Sequence, residues 1–432
     1  MQLYSTKNKS KFFSLEEAVV KGLPDDNGLF MPVEIPLLPN TFFKEMQQMS
    51  FPEIACTVAQ TLVGESVPKE ELKKIVQRAV NFEAPIIEIE KNIYVLELFH
   101  GPTLAFKDFG ARFMSGLLQY FVGKQRKKLT ILVATSGDTG GAVASGFYDV
   151  EGIEVIILYP SKKVSGLQEK QLTTLGKNIT ALEVDGTFDD CQHLVKQAFL
   201  DFEINQQLLL TSANSINIAR LIPQTFYYFN AVAQLKTADE KIVFSVPSGN
   251  FGNLTAGLIA KRMGLPIQKF IAATNANDVV PDYLLNGIFS PKHSVATISN
   301  AMDVGNPSNF YRMMDLYNND VQKISQDIVG ISITDDETKQ TIREVFQKNN
   351  YQLDPHGAVG YCALKKYAAQ HSFDNAIFLE TAHPSKFPEV VEEETKEKIV
   401  LPPQLAALIY KTKVSVLINK KFEDFKNYLL NR

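Results

Sequence analysis

KIVFSVPSGNFGNLTAGLIAKRMG, Lys241 to Gly264, passes from a short β-rich apolar run through a loop of glycine, serine and asparagine into a helical pattern. The run Lys241–Val246 has the branched and aromatic residues of a buried strand, and NLTAGLIAKRMG follows as an amphipathic helix. A second stretch repeats the layout: LTILVA (Leu129–Ala134), then TSGDTGG (Thr135–Gly141), then AVASGF. Strand followed by helix, repeated, is the pattern of a parallel sheet with helices on both faces.

Moving outward, IEVIILY (Ile153–Tyr159), ITALEV (Ile179–Val184), KFIAAT (Lys269–Thr274) and AIFLE (Ala376–Glu380) read as further buried strands. Helical patterns such as TFDDCQHLVKQAFLDF separate them. The strands group near residues 94–210 and near 241–380, which predicts an α/β protein of two three-layer lobes. Residues 1 to about 90 read as mainly helical, with EELKKIVQRAV as the clearest case and MPVEIPLLPN as a connector. The expected organisation is therefore a helical segment 1–92, a smaller lobe 93–235 and a larger lobe 236–432. EVVEEETKEKIV (Glu389–Val400) reads as an exposed helix and KFEDFKNYLLNR as a closing one.

Composition narrows the function. Lys and Arg number 44 against 48 Asp and Glu, a net charge of −4 that is too small to draw nucleic acid or an acidic membrane. KQRKK (Lys124–Lys128) is the nearest thing to a basic run and reads as a solvated turn. Cys56, Cys191 and Cys362 lie far apart with no CxxC pair, which argues against a disulfide framework or a zinc site and fits a reducing compartment. The N-terminus lacks the apolar core of a signal peptide, and no run is long enough for a membrane helix, so the cytoplasm is expected. The six histidines form no HExxH pair, and no metal is expected.

The two loops carry the chemistry. Each lets backbone N–H groups converge at a helix N-terminus, a geometry that suits a phosphate or carboxylate. The alternative is that serine, asparagine and glycine merely cap the helices. Neither loop spells GxxxxGK[ST] or GxGxxG, which disfavours nucleotide and dinucleotide binding. Lys107, in HGPTLAFKDFG (His100–Gly110), sits among Leu104, Ala105, Phe106 and Phe109. It is either a desolvated nucleophile or a lysine paired with Asp108 at a helix start. A desolvated lysine together with a phosphate-type loop is what pyridoxal phosphate needs.

LYSTK at Leu3, GLF at Gly28, LELFHGPTLAFKDFG, ATSGDTGGAV, LYPSKKVSGLQEKQL, SANSINIARL, VPSGNFGNLTAGL, AATNANDVVP, SNAMDVGNPSNF, DPHGAVGY and TAHPSKF stand in this order from residue 3 to about 388. In these blocks the chain resembles the threonine synthases, pyridoxal-phosphate enzymes of the tryptophan-synthase-β-like fold. The long N-terminal segment is similar to the bacterial and fungal branch. Pairing FHGPTLAFKDFG with TAHPSKF distinguishes this family from the serine and threonine dehydratases.

The resemblance implies the following roles. Lys107 would hold pyridoxal 5'-phosphate as a Schiff base and act as the catalytic base. Gly249, Asn250, Phe251, Gly252 and Asn253 would seat the cofactor phosphate, Phe251 through its backbone alone, and Thr381 would hydrogen-bond the pyridine nitrogen. The implied reaction turns O-phosphohomoserine and water into threonine and phosphate, with no nucleic acid or membrane as partner. Thr135, Ser136 and Thr139 would take the substrate carboxylate, with Asp138 facing the cofactor or a donor. Arg220 and Lys386, with Ser215 and Asn217, would take the substrate phosphate. For Thr381, Arg220 and Lys386 the bland readings are a helix cap, a helix C-terminal charge and a solvated lysine. His100 and His383 read as braces of turns, and His356 as either a cleft residue or part of a helix cap. A dehydratase on the same fold, or a silent binding protein, is the rival reading. The first would not need Arg220 and Lys386, and the second would not need an intact Lys107.

Overall fold

The computed structural model describes residues 1–123, 128–135, 137–235 and 241–432. The chain forms two compact units, each made of separated stretches. The larger takes Met1, Met31–Phe106 and Leu221–Val400; the smaller takes Gln2–Phe30, Lys107–Arg220 and Leu401–Arg432.

The strands, in chain order, are β1 (Gln2–Ser5), β2 (Asn8–Ser14), β3 (Phe30–Pro32), β4 (Ile86–Glu90), β5 (Ile93–Glu97), β6 (Leu129–Ala134) and β7 (Ile153–Pro160). They continue as β8 (Ile179–Asp185), β9 (Leu209–Ser212), β10 (Ile242–Pro247), β11 (Ile267–Thr274), β12 (Ile328–Ser332), β13 (Asn375–Glu380) and β14 (Val416–Asn419). The larger unit's sheet has the order β12-β11-β10-β13-β5-β4, parallel except for β4, which runs antiparallel to β5. The smaller unit's sheet, β14-β8-β7-β6-β9, is parallel throughout. Every residue of β6, β10 and β13 is buried. Strands covered on both faces read as near-continuous apolar runs, and that is why these stretches stand out in the sequence.

Several elements differ from the sequence reading. The strand at Tyr94 belongs to the larger unit: β5 pairs with β13 from Ile93↔Ala376 to Glu97↔Glu380. Sequence proximity to LTILVA did not decide its partner; the backbone ladder did. The limit expected at residue 92 falls inside the antiparallel β4–β5 pair, and the limit at 235 adjoins residues 236–240, outside the described residues. The first 14 residues form the antiparallel pair β1–β2 instead of helix. β2 is exposed at all but one residue, so no buried apolar face announces it. The helices Phe51–Val63 and Lys69–Ala79 are present as expected. The acidic stretch near the end is the helix Pro388–Thr395, which buries Val391, Glu394 and Thr395 and is not exposed throughout. Most of KQRKK lies outside the described residues; Lys128 pairs with Glu154 at 3.0 Å.

Candidate active site

In the smaller unit Lys107 opens the helix Lys107–Val122. Its side chain is only 16% exposed, and its Nζ lies 3.5 Å from Asp138 Oδ2. Asp138 is itself buried as the first residue of the helix Asp138–Gly146. Its other oxygen accepts from Gln168 Nε2 at 2.9 Å, and the Ser165 hydroxyl orients that amide through Gln168 Oε1 at 3.1 Å. Asp138 therefore faces two donors, one of the two surroundings expected for it. Gly137 makes the approach possible: its φ is +143°, and a Cβ there would stand 2.7 Å from Gln168 Oε1.

Thr135 is buried, and its hydroxyl accepts from Gly137 N–H at 3.0 Å and Gly140 N–H at 2.8 Å while donating to Gly137 O at 3.2 Å. It ties the loop to itself. Thr139 is half-buried in the first helical turn, and Ser136 lies outside the described residues. Asn217 is also committed to structure: its amide donates to Val19 O and Ser212 O, and its oxygen accepts from Ala219 N–H. Arg220 is 4% exposed and donates to Ala213 O. Burial pushes its guanidinium down to about 10, partly opposed by nearby Asp108. Gly110 makes room for it, since a Cβ there would lie 2.6 Å from Arg220 Nε. Ser215 is half-buried nearby in sequence.

In the larger unit β10 ends at Pro247 and the chain turns through Ser248–Phe251 into the helix Gly252–Arg262. Phe251 is buried in the left-handed conformation (φ 59°, ψ 19°), and its carbonyl accepts from Thr255 N–H and the Thr255 hydroxyl. Asn253 pins the turn from inside: its oxygen accepts from Ser248 Oγ at 2.8 Å, and its amide donates to Pro247 O at 2.8 Å. Asn250 is exposed, with its side-chain oxygen accepting from Ser308 N and Oγ at 3.3 and 3.2 Å. Gly249 leaves no space for a side chain, because a Cβ would meet Met302 Cα at 2.8 Å. The result is a braced turn at a helix N-terminus whose first amides have no acceptor within the helix.

Thr381 follows β13 and is 6% exposed. Its carbonyl accepts from Phe106 N–H at 2.9 Å, while its hydroxyl makes no hydrogen bond among the described residues. Lys386 is 2% exposed and not solvated; its ammonium donates to Thr103 O at 2.9 Å. His383 caps the same short turn by accepting from Ser385 N–H at 3.1 Å. Burial and neighbouring His100 push its imidazole down to about 4.

Residues 79–379 match the family model for pyridoxal-phosphate dependent enzymes, residues 2–80 the threonine synthase N terminus, and residues 357–429 the threonine synthase C-terminal model. The chain belongs to the threonine synthase family. Threonine synthase of Escherichia coli (strain K12) is 47% identical over 407 residues, 94% of each chain. A crystal structure of threonine synthase from Escherichia coli superposes with a TM-score of 0.93 at 45% identity, covering 100% of both chains. That of pyridoxal-phosphate-bound threonine synthase from Brucella melitensis gives 0.93 at 33% identity, covering 99% of this chain and 98% of the other. The expected α/β fold is thus that of the pyridoxal-phosphate-dependent threonine synthases.

The braced turn and the bare hydroxyl suit the family's cofactor. Gly249 removes the side chain that would stand over the turn, Phe251 exposes only backbone, and the Thr381 hydroxyl is without a hydrogen-bond partner among the described residues. Sequence reasoning missed several supporting residues. Gln168 lay inside a quoted block with no role, and nothing in its spacing pointed to Asp138. Asn309 donates its N–H to Asn250 O at 3.2 Å, and its side chain accepts from buried Arg312 at 2.7 Å. Gly357 makes space for Glu380: a Cβ there would stand 1.4 Å from Glu380 Oε2. Glu380 is fully buried, and desolvation, with Asp354 next in strength, holds its carboxyl well above the usual range.

Proposed function

We propose that this chain is a pyridoxal-phosphate-dependent lyase that converts O-phospho-L-homoserine and water to L-threonine and phosphate. The route is γ-elimination followed by β-addition of water, the last step of threonine biosynthesis. The match to the three family models along residues 2–429 carries the reading. The same reading assigns the chain to the cytoplasm, with a small-molecule substrate and neither nucleic acid nor membrane as partner.

When bound, pyridoxal phosphate supplies the electron sink that makes protons on the substrate's α and β carbons removable. The residues do the rest. Lys107 Nζ would hold the cofactor through its aldehyde carbon and would move protons on and off the substrate carbons. Asp138, 3.5 Å away, keeps that amine aimed and is held still by Gln168. Gly249, Asn250, Phe251, Gly252 and Asn253 would present backbone donors to the cofactor phosphate. Thr381 would offer a neutral hydroxyl to the cofactor's ring nitrogen, a partner that adds no negative charge there, unlike a carboxylate.

Thr139 and Ser136 take the substrate carboxylate, and Thr135 shapes their loop. Asn217, its amide committed to Val19 O and Ser212 O, holds its own segment in place, and with Ser215 as a further donor the substrate phosphate would be taken by Lys386 and Arg220. Their burial supports this reading, because a cation in a low-dielectric setting stabilises a departing phosphate more than one in water does.

Phosphate and threonine release from phosphohomoserine, compared with turnover of phosphoserine and threonine, tests the proposal. Equal yields of threonine and phosphate from phosphohomoserine support it. Deamination of threonine without phosphohomoserine turnover would replace it with the dehydratase reading.

A further inference from the structure

His356 is 2% exposed in the first turn of the helix Pro355–Ala368, and both of its ring nitrogens are engaged. Nε2 accepts from Ala301 N–H at 3.2 Å. A backbone amide can only donate, so the imidazole proton sits on Nδ1, which lies 2.5 Å from Asp354 Oδ1. Asp354 caps the helix by accepting from His356 N–H at 2.7 Å and Gly357 N–H at 3.4 Å. Its own N–H donates to Glu380 Oε1 at 2.5 Å.

Each end of this chain of bonds meets a proposed cofactor contact. Glu380 immediately precedes Thr381. Ala301 and Met302, in the turn Asn300–Met302, press on Gly249: a Cβ there would lie 3.0 Å from Ala301 O and 2.8 Å from Met302 Cα. One helix start is therefore tied both to the strand end that carries Thr381 and to the backbone that packs over Gly249. A rigid ring with a phosphate at one end and a nitrogen at the other needs its two contacts at one fixed spacing, and small errors in that spacing are costly.

We propose that Asp354 and His356 are positioning residues that keep the Thr381 hydroxyl and the Gly249 turn in register for the cofactor. The inference rests on the reading of Gly249 and Thr381 as cofactor contacts. It also gives His356 a role beyond the two left open by the sequence, since the imidazole bridges the helix cap to a separate turn.

The test uses apoprotein titrated with pyridoxal phosphate by absorbance, with melting temperatures measured alongside. Glutamine places an oxygen where Nε2 stands and keeps the bond from Ala301, whereas asparagine and leucine lose it. His356→Gln should bind the cofactor within about two-fold of the wild type, and His356→Asn and His356→Leu about ten-fold more weakly, the cost of one buried hydrogen bond. Gly249→Ala should displace the same turn, so the Gly249→Ala/His356→Leu double variant should lose less affinity than the product of the single losses. Unchanged affinity in His356→Asn and His356→Leu would overturn the proposal. So would equal losses in the Gln and Asn variants that track melting temperature, or strictly multiplicative losses in the double variant. Failure of the wild type itself to bind pyridoxal phosphate, or to be fixed to it by borohydride at Lys107, would instead remove the cofactor reading beneath it.

Discussion

Glu380 is a buried carboxyl group whose surroundings favour its neutral form. Its folded pKa lies above the usual 4.5, so its neutral form is favoured in the fold and its ionised form in the unfolded chain. Its contribution to stability is therefore complete below about pH 4.5 and is lost as pH rises toward the folded value. Glutamine copies the protonated acid without that loss. Glu380→Gln should be more stable than the wild type at pH 7.5 and nearly equal to it at pH 4. Urea midpoints at the two pH values check this, and equal differences at both would contradict a raised pKa. At Lys107 the expectation is chemical: Lys107→Ala should lose at least about a thousand-fold in turnover. It should also lose the borohydride-fixed cofactor while still folding, as circular dichroism would report. The burial of Lys107 was legible because a lysine flanked by Leu104, Ala105, Phe106 and Phe109 departs from what a solvated amine needs. Glu380 was not, because it closes an apolar run and its neighbour Asp354 lies 26 residues earlier.

At the scale of elements, the two strand–loop–helix units could be read directly. Their strands are apolar but for Thr130 and Ser245, and their loops concentrate glycine where the backbone turns hardest. What could not be read was the use of each loop's side chains. Thr135 looked like a donor for a ligand, yet its hydroxyl receives two backbone N–H groups of its own loop. Thr135→Val should strand both amides and cost about 1–3 kcal/mol, while Thr135→Ser should cost less than about 1 kcal/mol. Denaturant midpoints of the cofactor-free protein separate these outcomes. If valine proved harmless to stability and harmful only to the KM for substrate, the hydroxyl would belong to the ligand instead. Strands β5, β9 and β14 were unreadable as members of their sheets for a different reason. Their length and composition permit several partners, and only long-range pairing selects one.

Across the whole molecule, the chain passes between the two units after residues 1, 30, 106, 220 and 400. A reading along the sequence recovers two α/β bodies but assigns their ends by nearness in the chain. The final stretch instead completes the smaller unit: β14 pairs with β8, and Phe425 and Leu429 are buried in the core beneath it. Lys413 adds ion pairs to Glu169 and Glu183 at 2.7 and 2.6 Å. Phe425→Ala should cost about 3–5 kcal/mol, the usual price of emptying an aromatic site in a packed core. A midpoint shift below about 1 kcal/mol would mean that the core closes without this side chain. The interleaving also sets a timetable for biosynthesis. Residues 107–220 leave the ribosome long before 401–432 do, so the nascent smaller unit must wait with one sheet edge bare and part of its core unfilled. A ribosome that stops near residue 400 would release a chain that already contains Lys107 but lacks the residues that seal the body around it.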